Sequence, residues 1–496
     1  MLSNGSGFSP TKGFESLDKS GADLSNYQNQ LSKDRISRTL TLRRSNKITI
    51  SAFTHKKTYI GDLNNPLPPA LDPSIASQIL GSNNEAKIIE YCGSLMNSCT
   101  GKTSIAPILS SSEVASEFVN ILNSSDTFSL NLIIAIIQVM TTLFPLLEQS
   151  MMTVYVDEGI VMCLLTFLAV DESSPPNTNL IHHALKFTAV MASSSNYARD
   201  ALFSFGIHSM IITLASTFGN YPEIQDAACE ALYNLFSSQE PPDTTFINDC
   251  VCPIAQLLTL LRSKTAISFV LNVFVEMSNK LPSIVFSLFD MNMSPVIVQL
   301  LNDDDLTGVA LSLIGNMTVA QPFHINKLLE NGLFDHLLRL LNSEHTADVL
   351  WVLSNLLESV TDSTLRLINT DFVVQVVTIA MSANFNIEKE AAYFLSTFIL
   401  FSGQKSIENF VEHPEIVELL TEMLGCGSEN IILRCMDAII RFVQYSIIEP
   451  AKSSMIRQVI VESEARDRLL ELTDGNTPNL KERASYLLNV IDKLDY

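Results

Sequence analysis

From about residue 77 onward, apolar residues recur at i, i+3, i+4 and i+7, as in VIVQLLNDDD and HLLRLLNSE. That spacing keeps one face of a 3.6-residue helix apolar. Short breakers separate the segments: DESSPPN, SSQEPPD, NDDD, SANFN and GCGSEN. Helices of roughly 10–15 residues joined by loops this short, with no alternating strand pattern, predict an α-solenoid.

A solenoid must repeat itself. The recurring phrase is a helix carrying a residue pair at i and i+4, then polar residues, then a second helix ending in Leu-Leu. The i+4 anchors are Asn234, Asn316, Asn355 and Thr397, separated by 82, 39 and 42 residues. The first gap is two periods of 41, with its middle anchor near Val275. A period near 41 fits armadillo-type repeats of three helices; HEAT repeats have a similar period but usually pair two.

Residues at i and i+4 lie on one helix face, a turn apart. When the same helix of every repeat lines one surface, an aromatic at i and Asn at i+4 build a ladder along it. Asn can bond both the N–H and the C=O of an extended peptide. A Lys stem can lie between aromatic planes, with acidic groups at the rim catching its ammonium. Such a surface suits a Lys/Arg-rich peptide.

Charge supports that partner. Across 496 residues, 31 Lys+Arg stand against 53 Asp+Glu, a net charge of −22. A surface this acidic repels phosphate backbones, so nucleic acid is not expected as the main partner. Residues 1–60 are the exception, with ten basic and four acidic groups. The chain therefore divides into a disordered tail (1–34), a basic segment (35–60), a Pro-rich linker (61–76) and the solenoid (77–496).

Several blocks resemble the importin-α family, the adaptors that carry basic nuclear localisation signals. DVLWVLSNLLES is similar to its WxxxN repeat and KEAAYFLSTFILFSG to its KEAAWxxxN repeat. LSLIGNMTVA resembles the repeat that keeps Asn without Trp. YARDALFSFG and ALYNLFSSQEPPD resemble the third and fourth repeats, and IEPAKSSMIRQVIVESEARDRLLELT the capping tenth. The blocks also stand in the family's order. In the arm, RRSNKITISAFTHKK is similar to the importin-β-binding segment through Arg43, Arg44, Lys47, Ile48, Ile50, Lys56 and Lys57, with Phe53 and Thr54 where the family has a basic pair.

The resemblance implies an all-α fold: an armadillo-repeat right-handed superhelical solenoid of about ten repeats, with a disordered basic N-terminal arm. It implies an adaptor that links cargo to importin-β for nuclear import, shuttling between cytoplasm and nucleus. A CAS-type export receptor with Ran completes the implied partners, and no cofactor is implied. The family's major peptide site falls here on Val139/Leu143, Lys186/Val190 and Glu230/Asn234, where only Asn234 matches. The minor site is better kept: Asn316, Trp351, Asn355, Glu390 and Tyr393, with Thr397 in place of Asn. The expected groove is therefore centred on repeats six to eight. The alternative is a divergent armadillo scaffold for other protein–protein interactions.

Other signals carry less. Thr127 to Leu147 has no charge over 21 residues, long enough to span a bilayer. Its Asn131, Gln138, Thr141, Thr142 and Pro145 favour buried solenoid helices, and no membrane span is expected. TGKTS at Thr100–Ser104 lacks the first phosphate-loop glycine, since residue 96 is Met96. His182 and His183 point about 100° apart on a helix and cannot share a metal from one face. The eight cysteines include no CxxC pair and mostly sit in apolar stretches. Without a disulfide framework or an N-terminal h-region, a reducing cytosolic or nuclear setting is expected. No HExxH, GxSxG or GxGxxG appears, so no enzyme is expected.

Overall fold

The computed structural model describes residues 72–100, 105–170, 175–381, 383–402, 407–408 and 410–492, and among them every regular element is helical. The basic residues Arg43, Arg44, Lys47, Lys56 and Lys57, and the TGKTS segment beyond Thr100, lie outside the described residues. The first described helix, Pro73–Leu80, opens inside the Pro-rich stretch. Asp72 accepts from the Ser74 N–H, and Pro73 fills the first turn, where a missing N–H costs nothing.

The chain divides into two compact units, one ending at Val296 and the other starting at Ile297. In the first, the helices α1 (Glu85–Thr100), α2 (Leu130–Leu143), α3 (Thr178–Ser194), α4 (Pro222–Ser237) and α5 (Lys264–Lys280) pack each against the next. In the second, the series is α6 (Asp304–Met317), α7 (Thr346–Ser359), α8 (Phe385–Phe401), α9 (Glu429–Ile448) and α10 (Pro478–Ile491). A second layer runs alongside. Helix Ile160–Leu168 packs on Ile207–Thr217 in the first unit, and Thr370–Met381 on Pro414–Glu422 in the second.

One repeat is a short helix, a second helix and a long third, as in Asn196–Ser204, Ile207–Thr217 and α4, or Pro322–Glu330, Leu333–Leu340 and α7. The sharp turn between the first two helices needs a left-handed residue, supplied by Gly206 (φ +76°) and Gly332 (φ +83°) at the same place in their repeats. Polar caps start many of the long helices: Ser129 for α2, Asn177 for α3, Ser263 for α5, Asp303 for α6 and Asn384 for α8.

The period expected from the anchors appears as hydrogen bonds between neighbouring repeats. Asn196 donates to Glu240, 44 residues on, and Tyr197 to Asp157, 40 residues back. Ser238 reaches Asn196 across 42 residues, and Ser359 reaches the Thr318 carbonyl across 41. Side chains thus help to stitch these neighbouring repeats together, alongside apolar packing. The uncharged stretch from Thr127 to Leu147 resolves into α2 and two short turns. Among the described residues no single helix is long and apolar enough to cross a membrane.

Candidate functional site

In the second unit the anchor residues lie on consecutive helices. Asn316 stands on α6, Trp351 and Asn355 on α7, Tyr393 and Thr397 on α8, and all are buried. The Trp351 indole lies against the backbone of α6. A Cβ added at Gly315 would sit 2.0 Å from Cζ3 and 2.1 Å from Cη2 of that ring. Glycine, otherwise a poor helix former, is required there by close approach. Ser354 and Ser396 hold the same position before Asn355 and Thr397, and each turns its hydroxyl onto its own helix, to the Leu350 and Ala392 carbonyls. At Gly315 the small residue before the anchor makes room for the Trp351 ring, and a small residue stands at the same place in IGN, LSN and LST.

Three anchor atoms are buried with no hydrogen-bond partner among the described residues: Trp351 Nε1, Asn355 Nδ2 and Thr397 Oγ1. Leaving such a group unpaired costs about 1–3 kcal/mol. Trp351 and Asn355 stand one turn apart on α7, and Thr397 stands 42 residues after Asn355 on α8.

Tyr393 has a different environment. Its hydroxyl donates to Glu358 Oε1 at 2.9 Å, and Arg434 Nη2 on α9 donates to the same oxygen at 3.0 Å. The guanidinium also stands over the Tyr393 ring, 5.4 Å from its centroid. This ion pair is buried, with side chains 1% exposed for Glu358 and 8% for Arg434. Glu358 Oε2 is a further buried atom without a partner among the described residues. Beside the pair, Arg483 Nε stands 3.0 Å from Asp437 Oδ1. Burial pushes the Asp437 carboxyl up, and Arg483 and Arg434 only partly offset it.

Glu358 was not anticipated from sequence, although it follows Trp351 by seven residues and Asn355 by three, on the same face. Glu390, the acid expected there, is half-buried on α8, three residues before Tyr393. Arg434 was missed too. It falls one period after Tyr393, at the aromatic place of the next repeat, and only contact between α7, α8 and α9 reveals its partners.

Among the described residues, the corresponding stretch of the first unit carries no comparable row. Val139, Leu143 and Val190 are buried core residues. Lys186 on α3 pairs with Glu230 on α4 at 2.5 Å, with side chains 42% and 31% exposed. Asn234 is half-buried and donates to the Glu230 carbonyl of its own helix at 3.0 Å. Lys280 on α5 pairs with Glu276 at 3.5 Å and donates to the Phe236 carbonyl near the end of α4. Tyr233 stacks obliquely near Phe269, its hydroxyl pushed up to about 12 by burial and by Glu276. His182 and His183 face opposite neighbours, the Glu223 carbonyl and Gln138. Among the described residues no cluster of His, Cys, Asp and Glu could hold a metal ion.

No family model and no curated protein matches the chain. Solved structures do. An engineered protein whose crystal structure was determined by the Northeast Structural Genomics Consortium aligns with a TM-score of 0.68 at 17% identity, covering 86% of this chain and 99% of its own. A designed armadillo repeat protein in complex with peptide (KR)4 aligns at 0.39 and 19% identity, covering 48% of this chain and 98% of that one. A chain from a structure concerned with a phosphorylation switch between cadherin and beta-catenin aligns at 0.49 and 11% identity, covering 84% and 94%. Only the first score is high enough to bear on the whole chain, and at its identity the likeness is one of fold. The three-helix repeat with its period near 41 residues is that of an armadillo-repeat solenoid, and the likeness to the engineered protein extends over the same helical chain.

Proposed function

We propose that the second unit binds an extended, Lys/Arg-rich peptide along α6, α7 and α8, and that the chain is an importin-α-like adaptor for basic nuclear localisation signals. The observation that carries this reading is the row of buried, unpartnered polar atoms at Trp351, Asn355 and Thr397. A peptide main chain offers carbonyls and N–H groups at the spacing of an extended strand, and can pair such a row. The net charge of −22 attracts a cationic ligand. Because the three residues are buried, a peptide that bonds them must first displace the atoms that cover them. On the second unit, the residues expected to hold peptide are Asn316, Trp351, Asn355, Glu390, Tyr393 and Thr397; Asn234 belongs to the first unit and is bonded to its own helix.

The test is fluorescence anisotropy with a labelled bipartite Lys/Arg-rich peptide at two salt concentrations. Binding should weaken as salt rises, since rim charges are screened. Trp351→Ala with Asn355→Ala should weaken it at least tenfold, and equal capture by both proteins would end the reading. Deleting residues 1–60 should tighten binding if the basic arm is an internal competitor, as the resemblance to importin-α implies. Capture of importin-β by residues 35–60, with shuttling between cytoplasm and nucleus, separates an import adaptor from the second reading.

That second reading is a divergent armadillo scaffold for other protein partners. It is favoured by the first unit, where Lys186 and Glu230 pair where the family's major site has its ladder. There, peptide should bind no better than to an unrelated acidic protein.

A further inference from the structure

Arg434 stands one period after Tyr393, at the place in α9 that an aromatic would hold if the ladder continued. Its guanidinium occupies the two groups that a peptide cation would seek. One is the face of the Tyr393 ring, 5.4 Å away, and the other is Glu358 Oε1, at 3.0 Å. The Tyr393 hydroxyl, 2.9 Å from the same oxygen, fixes the carboxylate for that contact. A cation tethered to the fold competes at high effective concentration with any cation arriving from solution. Moving it aside would also leave a buried guanidinium without its acid.

We infer that Arg434 is a specificity-determining residue that closes the Tyr393–Glu358 end of the groove to cationic side chains. The inference rests on the peptide-binding reading above. A bound peptide then seats its Lys or Arg residues at the Trp351–Asn355 end only. The residue it presents beside α9 is neutral or acidic. Peptides with one short basic run are accepted, whereas a long uninterrupted run gains nothing from its extra charges.

The experiment is calorimetric titration of the full chain with the synthetic octapeptide (Lys-Arg)4. Arg434→Gln keeps an N–H donor for Glu358 but removes the charge, and it should bind about tenfold more tightly than the unaltered chain. Arg434→Met should show at least as large a gain. If it fails to fold, as a thermal melt will show, Arg434→Gln alone decides. Adding Glu358→Gln to Arg434→Gln should abolish the gain, because the freed carboxylate is the group the peptide reaches. Lys452→Met, which removes one exposed positive charge elsewhere on the second unit, should leave affinity unchanged. Binding by the unaltered chain that no Arg434 variant improves would overturn this inference and leave the peptide-binding reading standing. An equal gain in Lys452→Met would overturn it too, by tracing the effect to net charge. No binding by any form would overturn both.

Discussion

Each unit sets a cation from one long helix against a glutamate on another, and the two pairs teach opposite lessons. Lys186 and Glu230 meet at 2.5 Å with side chains 42% and 31% exposed. Arg434 and Glu358 meet at 3.0 Å with almost none exposed. In water the attraction is weak and is offset by ordering two long side chains. Away from water, each charge has lost its hydration and depends on its partner, so removing one partner strands the other. The first pair occupies a half-exposed surface. The second is built into the packing of three helices and carries the Tyr393 hydroxyl with it.

The sharpest way to break this contrast is to delete one cation at a time. Arg434→Met should lower the stability of the second unit by about 3 kcal/mol, because Glu358 is left buried and charged. Adding Glu358→Gln should restore much of it, and urea unfolding followed by circular dichroism reads both. A loss below about 1 kcal/mol would mean that water reaches the carboxylate.

Gly315→Ala should come next, at about 2 kcal/mol, since the new methyl meets the Trp351 ring. The same unfolding series would show it, with a change in Trp351 fluorescence, as this is the only Trp in the chain. An Ala variant with unaltered emission and stability would mean that the indole has room to move.

The two units should also answer pH with opposite signs. Asp437 is held up by burial, so its protonated form is favoured in the fold. Its contribution is therefore fully present below the ordinary aspartate value of 3.8 and is lost as pH rises above it. His183 is held down by burial and by His182, so its neutral form is favoured. The first unit accordingly loses that contribution as pH falls below 6.5. Asp437→Asn and His183→Gln should each flatten one of these trends in thermal melts across pH 4 to 7.5. Unchanged slopes would assign the pH response to other groups.

Smallest of all, Lys186→Met should change the stability of the first unit by no more than about 0.5 kcal/mol, and by less at high salt. A loss as large as that of Arg434→Met would erase the distinction between the two pairs.

Much of the solenoid was legible in the chain. Helical periodicity, short polar breakers and anchors near 41 residues apart are local or regularly repeated features, and the hydrogen bonds between repeats fall at that spacing. Trp351 and Asn355 could be picked out because a pair at i and i+4 on a helix must share a face. The acid that reaches Tyr393 could not be chosen this way. Both Glu358 and Glu390 satisfy helical spacing, and only the packing of α7 on α8 brings Glu358 to the Tyr393 hydroxyl.

By itself, the sequence determined the helices, their period and the polar anchors, because hydrophobic spacing and caps act within a few residues. Only the tertiary structure decided which charges are stranded without water, which indole rests on a bare backbone, and that Arg434 reaches back 76 residues to Glu358. Those outcomes depend on how closely separate helices approach and how much solvent they exclude, and no local pattern encodes either.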